Sequence, residues 1–233
     1  MIKTIAFDAD DTLWHNEPIF LHAKEKYQRL LAGYHDESWT ERHLDEAESR
    51  NIQHFGYGIK GFTLSMIETA CDLTEGRITG NEIREIIGFA REMLASPIDL
   101  LDGVRETIEE LAANYSLMVI TKGDLFDQEA KLARSGIGDH FAKVEIVSSK
   151  VKATYKGILE RNGIVAGEFV MVGNSLRSDI LPVLEIGSRA VYIPYKTEWF
   201  HEKVSEEEMR EHEFATLESI AEMPAWLAKV SMG

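Results

Sequence analysis

The chain has 233 residues, 44% of them hydrophobic, with 25 Lys and Arg set against 40 Asp and Glu for a formal net charge of -15. That length supports one sizeable core, or a core with a smaller companion, and an ordinary apolar share marks a folded globular protein. The acidic surplus repels polyanions, which excludes nucleic acid and anionic membrane surfaces as expected partners, and Cys71, the only cysteine, can form no disulfide within the chain.

Ile2 to Phe7 is a short apolar run rich in β-formers that ends at Asp8, the pattern of a strand buried in a parallel sheet. These first residues carry no signal-peptide pattern, and no apolar run approaches a membrane span, so the expected compartment is the cytoplasm. From Trp14 to about Leu100 the pattern turns helical. Phe20, Tyr27, Leu30, Leu31 and Tyr34 mark one apolar face, and Ile83, Ile86, Ile87, Ala90 and Leu94 mark another. Cys71 falls in an amphipathic stretch with Met66, Ile67 and Ala70, where burial is expected. Phe55 to Phe62 contains three glycines and reads as a turn between helices; the other reading is a loop that brings Tyr57 or Lys60 to a substrate.

Pro97 closes this insert, and Asp102-Gly103-Val104 opens the helix that returns the chain to the sheet. Apolar runs then recur: Leu117 to Ile120 ends at Thr121, Val144 to Val147 near Ser148, Phe169 to Val172 at Gly173, and Ala190 to Ile193 at Pro194. Helical patterns at 124–135, 154–161 and 180–186 separate them. Strands alternating with helices predict an α/β fold with a doubly wound parallel sheet, carrying the helical insert as a cap domain. The expected division is a catalytic core of residues 1-14 and 100-233 and a helical cap of residues 15-99. The acidic segment from Glu202 to Glu213 reads as solvated, and Ile220, Met223, Trp226 and Leu227 mark a closing helix.

Ligand sites of open α/β sheets lie beyond the carboxyl ends of the strands. The polar residues there are Asp8-Ala9-Asp10-Asp11-Thr12 after the first run and Thr121-Lys122-Gly123-Asp124 after the second. Lys150 and Lys152 stand near the third, and Gly173-Asn174 with Asp179 follows the fourth. Asp8 and Asp10, two residues apart, project the same way from an extended segment, and a magnesium ion favours such oxygen ligands. One carboxylate can attack phosphorus while the other supplies a proton to the leaving oxygen and later takes one from water. Thr121 can hydrogen-bond a phosphoryl oxygen, a lysine can neutralise charge and hold the nucleophile, and Asp179 can close the metal site. The histidines show no HxH or HExxH spacing, so they read as surface residues.

Taken together these residues resemble the four motifs of the haloacid dehalogenase superfamily, and the helical insert between the first and second resembles its cap-bearing phosphatases. The resemblance covers nearly the whole chain. It implies a magnesium-dependent phosphatase acting on a small phosphorylated metabolite. Asp8 is then the nucleophile and a metal ligand, Asp10 the acid/base that also offers its backbone carbonyl to the metal, and Thr121 the phosphate-binding hydroxyl. Thr12, Lys122 and Gly123 join the substrate site. Of the two lysines the choice is Lys150, which follows the strand-end serines and stands five residues before Tyr155. The fourth motif usually begins Gly-Asp; here Asn174 takes the acid's place, an oxygen ligand without charge, with Asp179 following. Within the superfamily a dehalogenase lacks the counterpart of Asp10, a phosphomutase shares both aspartates, and a non-catalytic regulatory member is the reading that Asn174 favours.

Overall fold

The computed structural model describes residues 1–196 and 212–231. Most of the acidic segment expected from Glu202 to Glu213 therefore lies outside the described residues. Two compact units emerge, one of Met1–His15, Ile98–Lys122 and Gln128–Gly233, the other of Asn16–Pro97 with Gly123–Asp127.

The first unit is built on six parallel strands. In chain order they are β1 (Thr4–Phe7), β2 (Ser116–Lys122), β3 (Lys143–Val147), β4 (Phe169–Gly173), β5 (Arg189–Tyr192) and β6 (Ala215–Thr216), and their order in the sheet is β3-β2-β1-β4-β5-β6. β1 is central and fully buried. Its residues alternate between the two faces: Ile5 and Phe7 join Val119, Val170 and Val172, while Ala6 joins Met118, Ile120 and Met171. Helices cover both faces, which is why the central strands read as continuous apolar runs instead of alternating ones. Val104, Ile108 and Leu111 of α5 (Val104–Ala112), with Met223 and Leu227 of the closing helix (Met223–Ser231), fill one side; Tyr155, Ile158 and Leu159 of α7 (Lys152–Asn162) fill the other. The chain leaves β1 toward β2 on one side and returns to β4 on the other. At such a switch in strand order, beyond the carboxyl end of β1, open α/β sheets bind their ligands.

Local geometry departs from the sequence expectation in several places. The two-residue edge strand β6 was not anticipated, because two residues carry no period. The helix expected over 180–186 begins earlier, as a wide turn over Leu176–Ile180, and only Leu181–Leu184 is α-helical. A wide turn of this kind costs regular hydrogen bonding, and here it buries Asp179 against the end of β4. Cys71 is half-buried, short of the burial expected for it.

The second unit holds four helices, α1 (Glu17–Leu31), α2 (Glu37–Phe55), α3 (Ile59–Leu73) and α4 (Gly80–Ala95). Tyr27 and Leu31 of α1, Leu44 of α2, and Phe62, Met66 and Ala70 of α3 pack with Ile86, Phe89 and Met93 of α4. The buried stripe of α4 thus runs through Phe89 and Met93, while the expected Ile87 is exposed. Tyr27 satisfies its phenol by donating to the carbonyl of Met66 at 2.8 Å. Asp36 caps α2, and Thr79 with Glu82 forms a reciprocal capping box on α4. The glycine-rich segment turns the chain from α2 to α3: Gly56 and Gly58 take φ of 72° and 110°, and a side chain on Gly61 would meet the carbonyl oxygen of Gly56 at 2.7 Å. Lys60 gives both its described bonds to Asp124, at 3.0 and 3.1 Å.

One buried acid strains this unit. Glu48 packs beside Lys24, which pairs with Asp45 at 3.1 Å, and Glu48 Oε2 meets no partner among the described residues. Burial pushes the Glu48 carboxyl up to about 7, with Lys24 offsetting part of the effect. An unfolded glutamate titrates near 4.3. The folded state therefore disfavours the charge: the cost is absent below about pH 4, grows as pH rises, and is complete above about 7. Glu48→Gln is expected to raise the unfolding free energy at pH 8 by roughly 1–3 kcal/mol, and by less at pH 5. Urea unfolding at the two pH values checks this; equal gains would mean that packing, not charge, is responsible.

Candidate active site

The loop after β1 is a tight fold. Thr12 and Leu13 donate their amides to the carbonyl of Ala9, at 3.2 and 2.8 Å, and Asp11 donates its amide to the carbonyl of Trp14 at 2.8 Å. Asp11 sits at φ 62°, a left-handed conformation that aspartate tolerates better than most residues. This turn carries Asp8, Asp10 and Thr12 out over the sheet edge. Asp8 is buried and tied through its amide to the carbonyl of Val172 in β4, at 2.9 Å.

Lys150 stands at the centre of the site. Its ammonium donates to Asp8 Oδ1, and to Asp179 Oδ1 at 2.7 Å, with all three side chains nearly closed to solvent. Lys152 instead points outward and meets Glu185 at 3.4 Å. The Thr12 hydroxyl lies 3.3 Å from Asp8 Oδ2 and 3.1 Å from Asn174 Oδ1, so its single proton serves one of the two. Asp179 accepts a further bond on Oδ2 from the amide of Ser175, at 3.0 Å. That carboxylate lies where a side chain on Gly173 would be, so the glycine ending β4 is a spatial requirement. Thr121 is buried at the end of β2, its hydroxyl reaching the neighbouring carbonyl of Lys122 at a long 3.3 Å. Lys122 donates to Ser178 Oγ at 2.9 Å. Gly123, with φ 136°, groups with the helical unit, apart from the other residues expected at the site.

Electrostatics divide the two motif aspartates. Burial pushes the Asp8 carboxyl up to about 7; Lys150 pulls it down, while Asp179 and Asp10 push it up. Lys150, despite its burial, is held above its ordinary range by Asp179 and Asp8. Asp10 faces other partners. Its Oδ1 accepts from the Trp14 indole at 2.7 Å and from Lys131 at 3.0 Å, and its Oδ2 accepts from Gln128 Nε2 at 2.7 Å. Gln128 and Lys131 lie on α6 (Leu125–Ser135) and were not singled out in the sequence. Their i, i+3 spacing, which puts two polar residues on one helix face directly after the Thr121 loop, is the signal that was available.

Magnesium suits the oxygens gathered here. Asp8 and Asp179 share one ammonium, which leaves a buried negative charge, and the neutral amide oxygen of Asn174 is reached through Thr12. Hard oxygen donors with an uncompensated anion are what that ion binds. Among the described residues no three His, Cys, Asp or Glu side chains converge as metal ligands.

Comparison with known proteins identifies the family. The family description of haloacid dehalogenase-like hydrolases matches residues 2–187. A haloacid dehalogenase-like family hydrolase from Xanthomonas campestris is similar at 40% identity and a TM-score of 0.88, over 99% of this chain and 92% of that one. The 5-amino-6-(5-phospho-D-ribitylamino)uracil phosphatase YigB of Escherichia coli is 24% identical over 205 residues, 82% of this chain and 83% of its own. A 2-haloacid dehalogenase from Pseudomonas syringae shares the fold at 23% identity and a TM-score of 0.65, over 98% of this chain and 99% of that one. With its motif-bearing strand ends at one edge of a parallel sheet and a matching description over most of its length, the chain is an enzyme that belongs to the haloacid dehalogenase-like hydrolases.

Proposed function

We propose that the chain is a magnesium-dependent phosphoric monoester hydrolase that acts in the cytoplasm on a small phosphorylated metabolite, through an aspartyl-phosphate on Asp8. Residues 1-14 and 100-233 form its catalytic core and residues 15-99 its cap. One observation carries the reading: two carboxylates two residues apart sit in different surroundings, Asp8 with Lys150 and Asp179, Asp10 with Lys131, Gln128 and Trp14. Such a split assigns different tasks to chemically identical groups. Asp10 also favours phosphoester over carbon–halogen cleavage, because only an oxygen leaving group needs a proton. The phosphatase activity named for the E. coli relative points the same way.

In the first step Asp8 attacks phosphorus as the ester oxygen departs and takes its proton from Asp10. A water molecule then attacks the phosphoryl group on Asp8, giving a proton to the Asp10 carboxylate, and inorganic phosphate leaves with Asp8 restored. Lys150 holds Asp8 by one oxygen and Thr12 approaches the other, which aims the nucleophile. The Thr121 hydroxyl can exchange its long contact for a phosphoryl oxygen, joined by Lys122. Asp8, the main-chain carbonyl of Asp10, Asn174 and Asp179 would hold magnesium, which supplies positive charge against the phosphoryl oxygens when bound.

A panel of phosphorylated metabolites, assayed for phosphate release, tests the proposal. Turnover is expected with magnesium, should vanish with a chelator and should return on adding the metal in excess. Absence of phosphate from every ester in the presence of magnesium would overturn the reading.

A further inference from the structure

Gln128 and Lys131 have no part in the four strand-end motifs, yet both are buried polar side chains, 4% and 5% exposed, and both end on the Asp10 carboxylate. Lysine is rarely buried without a specific anion to meet. The Gln128 amide is committed as well. Its oxygen is buried with no partner among the described residues, while its NH2 group faces Asp10. Turning the amide over would set oxygen against a carboxylate, so the anion fixes its orientation. With Trp14, these two residues occupy both oxygens of Asp10 from defined directions.

We propose that Lys131 and Gln128 are positioning residues for Asp10, fixing the carboxyl that exchanges a proton with the leaving oxygen and then with water. The proposal rests on the phosphatase reading. Proton transfer needs the carboxyl within hydrogen-bond reach of the reacting oxygen, and an unrestrained side chain spends much of its time elsewhere. α6 is the element that follows β2, whose last two residues are Thr121 and Lys122, so one short stretch of chain supplies the phosphate-binding hydroxyl and the two groups that orient the acid.

The test compares two esters on the full chain with magnesium: p-nitrophenyl phosphate, whose phenolate leaves without a proton, and glycerol phosphate, whose alkoxide does not. Lys131→Met is expected to lower kcat for the alkyl ester about tenfold more than for the aryl ester, at nearly constant KM, with Lys131→Arg recovering part of the difference. A merely structural role would lower both activities together. Asp10→Asn, run in parallel, should show a wider split. If Asp10→Asn shows the split and Lys131→Met does not, the positioning role is overturned and the phosphatase reading stands; if Asp10→Asn shows none, Asp10 is not the acid and both fall. Where the unmodified protein hydrolyses neither, an aryl and an alkyl ester that it does hydrolyse are compared instead, and hydrolysis of no ester at all overturns the phosphatase reading itself. Should Lys131→Met not fold, Gln128→Leu decides by the same comparison: a larger alkyl loss supports the proposal and equal losses overturn it.

Discussion

Asp8→Asn is expected to reduce phosphate release on the order of 10⁴-fold or more, as loss of an attacking nucleophile does elsewhere. The protein should remain folded. Asparagine keeps the shape of aspartate, and the amide oxygen can still accept from Lys150, while the Asp8 carboxyl, which burial pushes up to about 7, no longer has to carry a buried charge. Lys150 also retains Asp179 at 2.7 Å, so no buried ammonium is stranded. Melting temperature and turnover should therefore separate, the first nearly unchanged and the second lost. Mass spectrometry sharpens the result: phosphate transferred from substrate should be trapped on the unmodified protein after acid quench and absent from Asp8→Asn. Turnover within tenfold of normal in the variant would remove Asp8 from the role.

Lys150→Met strikes the same centre from the opposite side and should damage stability as well as rate. The ammonium is the counter-charge for two buried carboxylates, and removing one partner of such a cluster costs about 3–5 kcal/mol, because the remaining charges stay buried without compensation. The direction with pH follows. Without Lys150 the Asp8 carboxyl, already pushed up to about 7 by burial, rises further above its unfolded value, so the deficit is small near pH 4 and grows toward pH 8. Lys150 itself is held above its ordinary range, so in the unmodified protein its contribution is present throughout that window. Urea unfolding at pH 5 and pH 8 checks this, and saturating magnesium at pH 8 should restore part of the loss by supplying another cation. A deficit independent of both pH and magnesium would mean that Lys150 acts through packing alone. Activity should fall by about 10²–10³, the usual effect of losing one charged donor at a reacting centre.

The order of strands and helices was legible in the sequence because each central strand is buried on both faces. Ile5 and Phe7 serve one side of the sheet and Ala6 the other, so the whole run must be apolar. Asp8, Asp10, Thr12, Thr121, Asn174 and Asp179 were legible for a related reason: parallel strands place their carboxyl ends on one edge, so polar residues far apart in the chain fall there together. Spacing alone left Lys150 and Lys152 open. Only the fold turns Lys150 inward onto Asp8 and Asp179 and leaves Lys152 on the surface with Glu185. Nor does sequence reveal that Gly173 must be glycine, since the group filling its side-chain space belongs to Asp179, six residues on and reached through a wide turn. Gln128 and Lys131 look like ordinary positions of an amphipathic helix until the turn after β1 brings Asp10 to them. Periodicity records how each element meets the core, and that is local information; which side chains meet one another across elements depends on distances that tertiary packing alone sets.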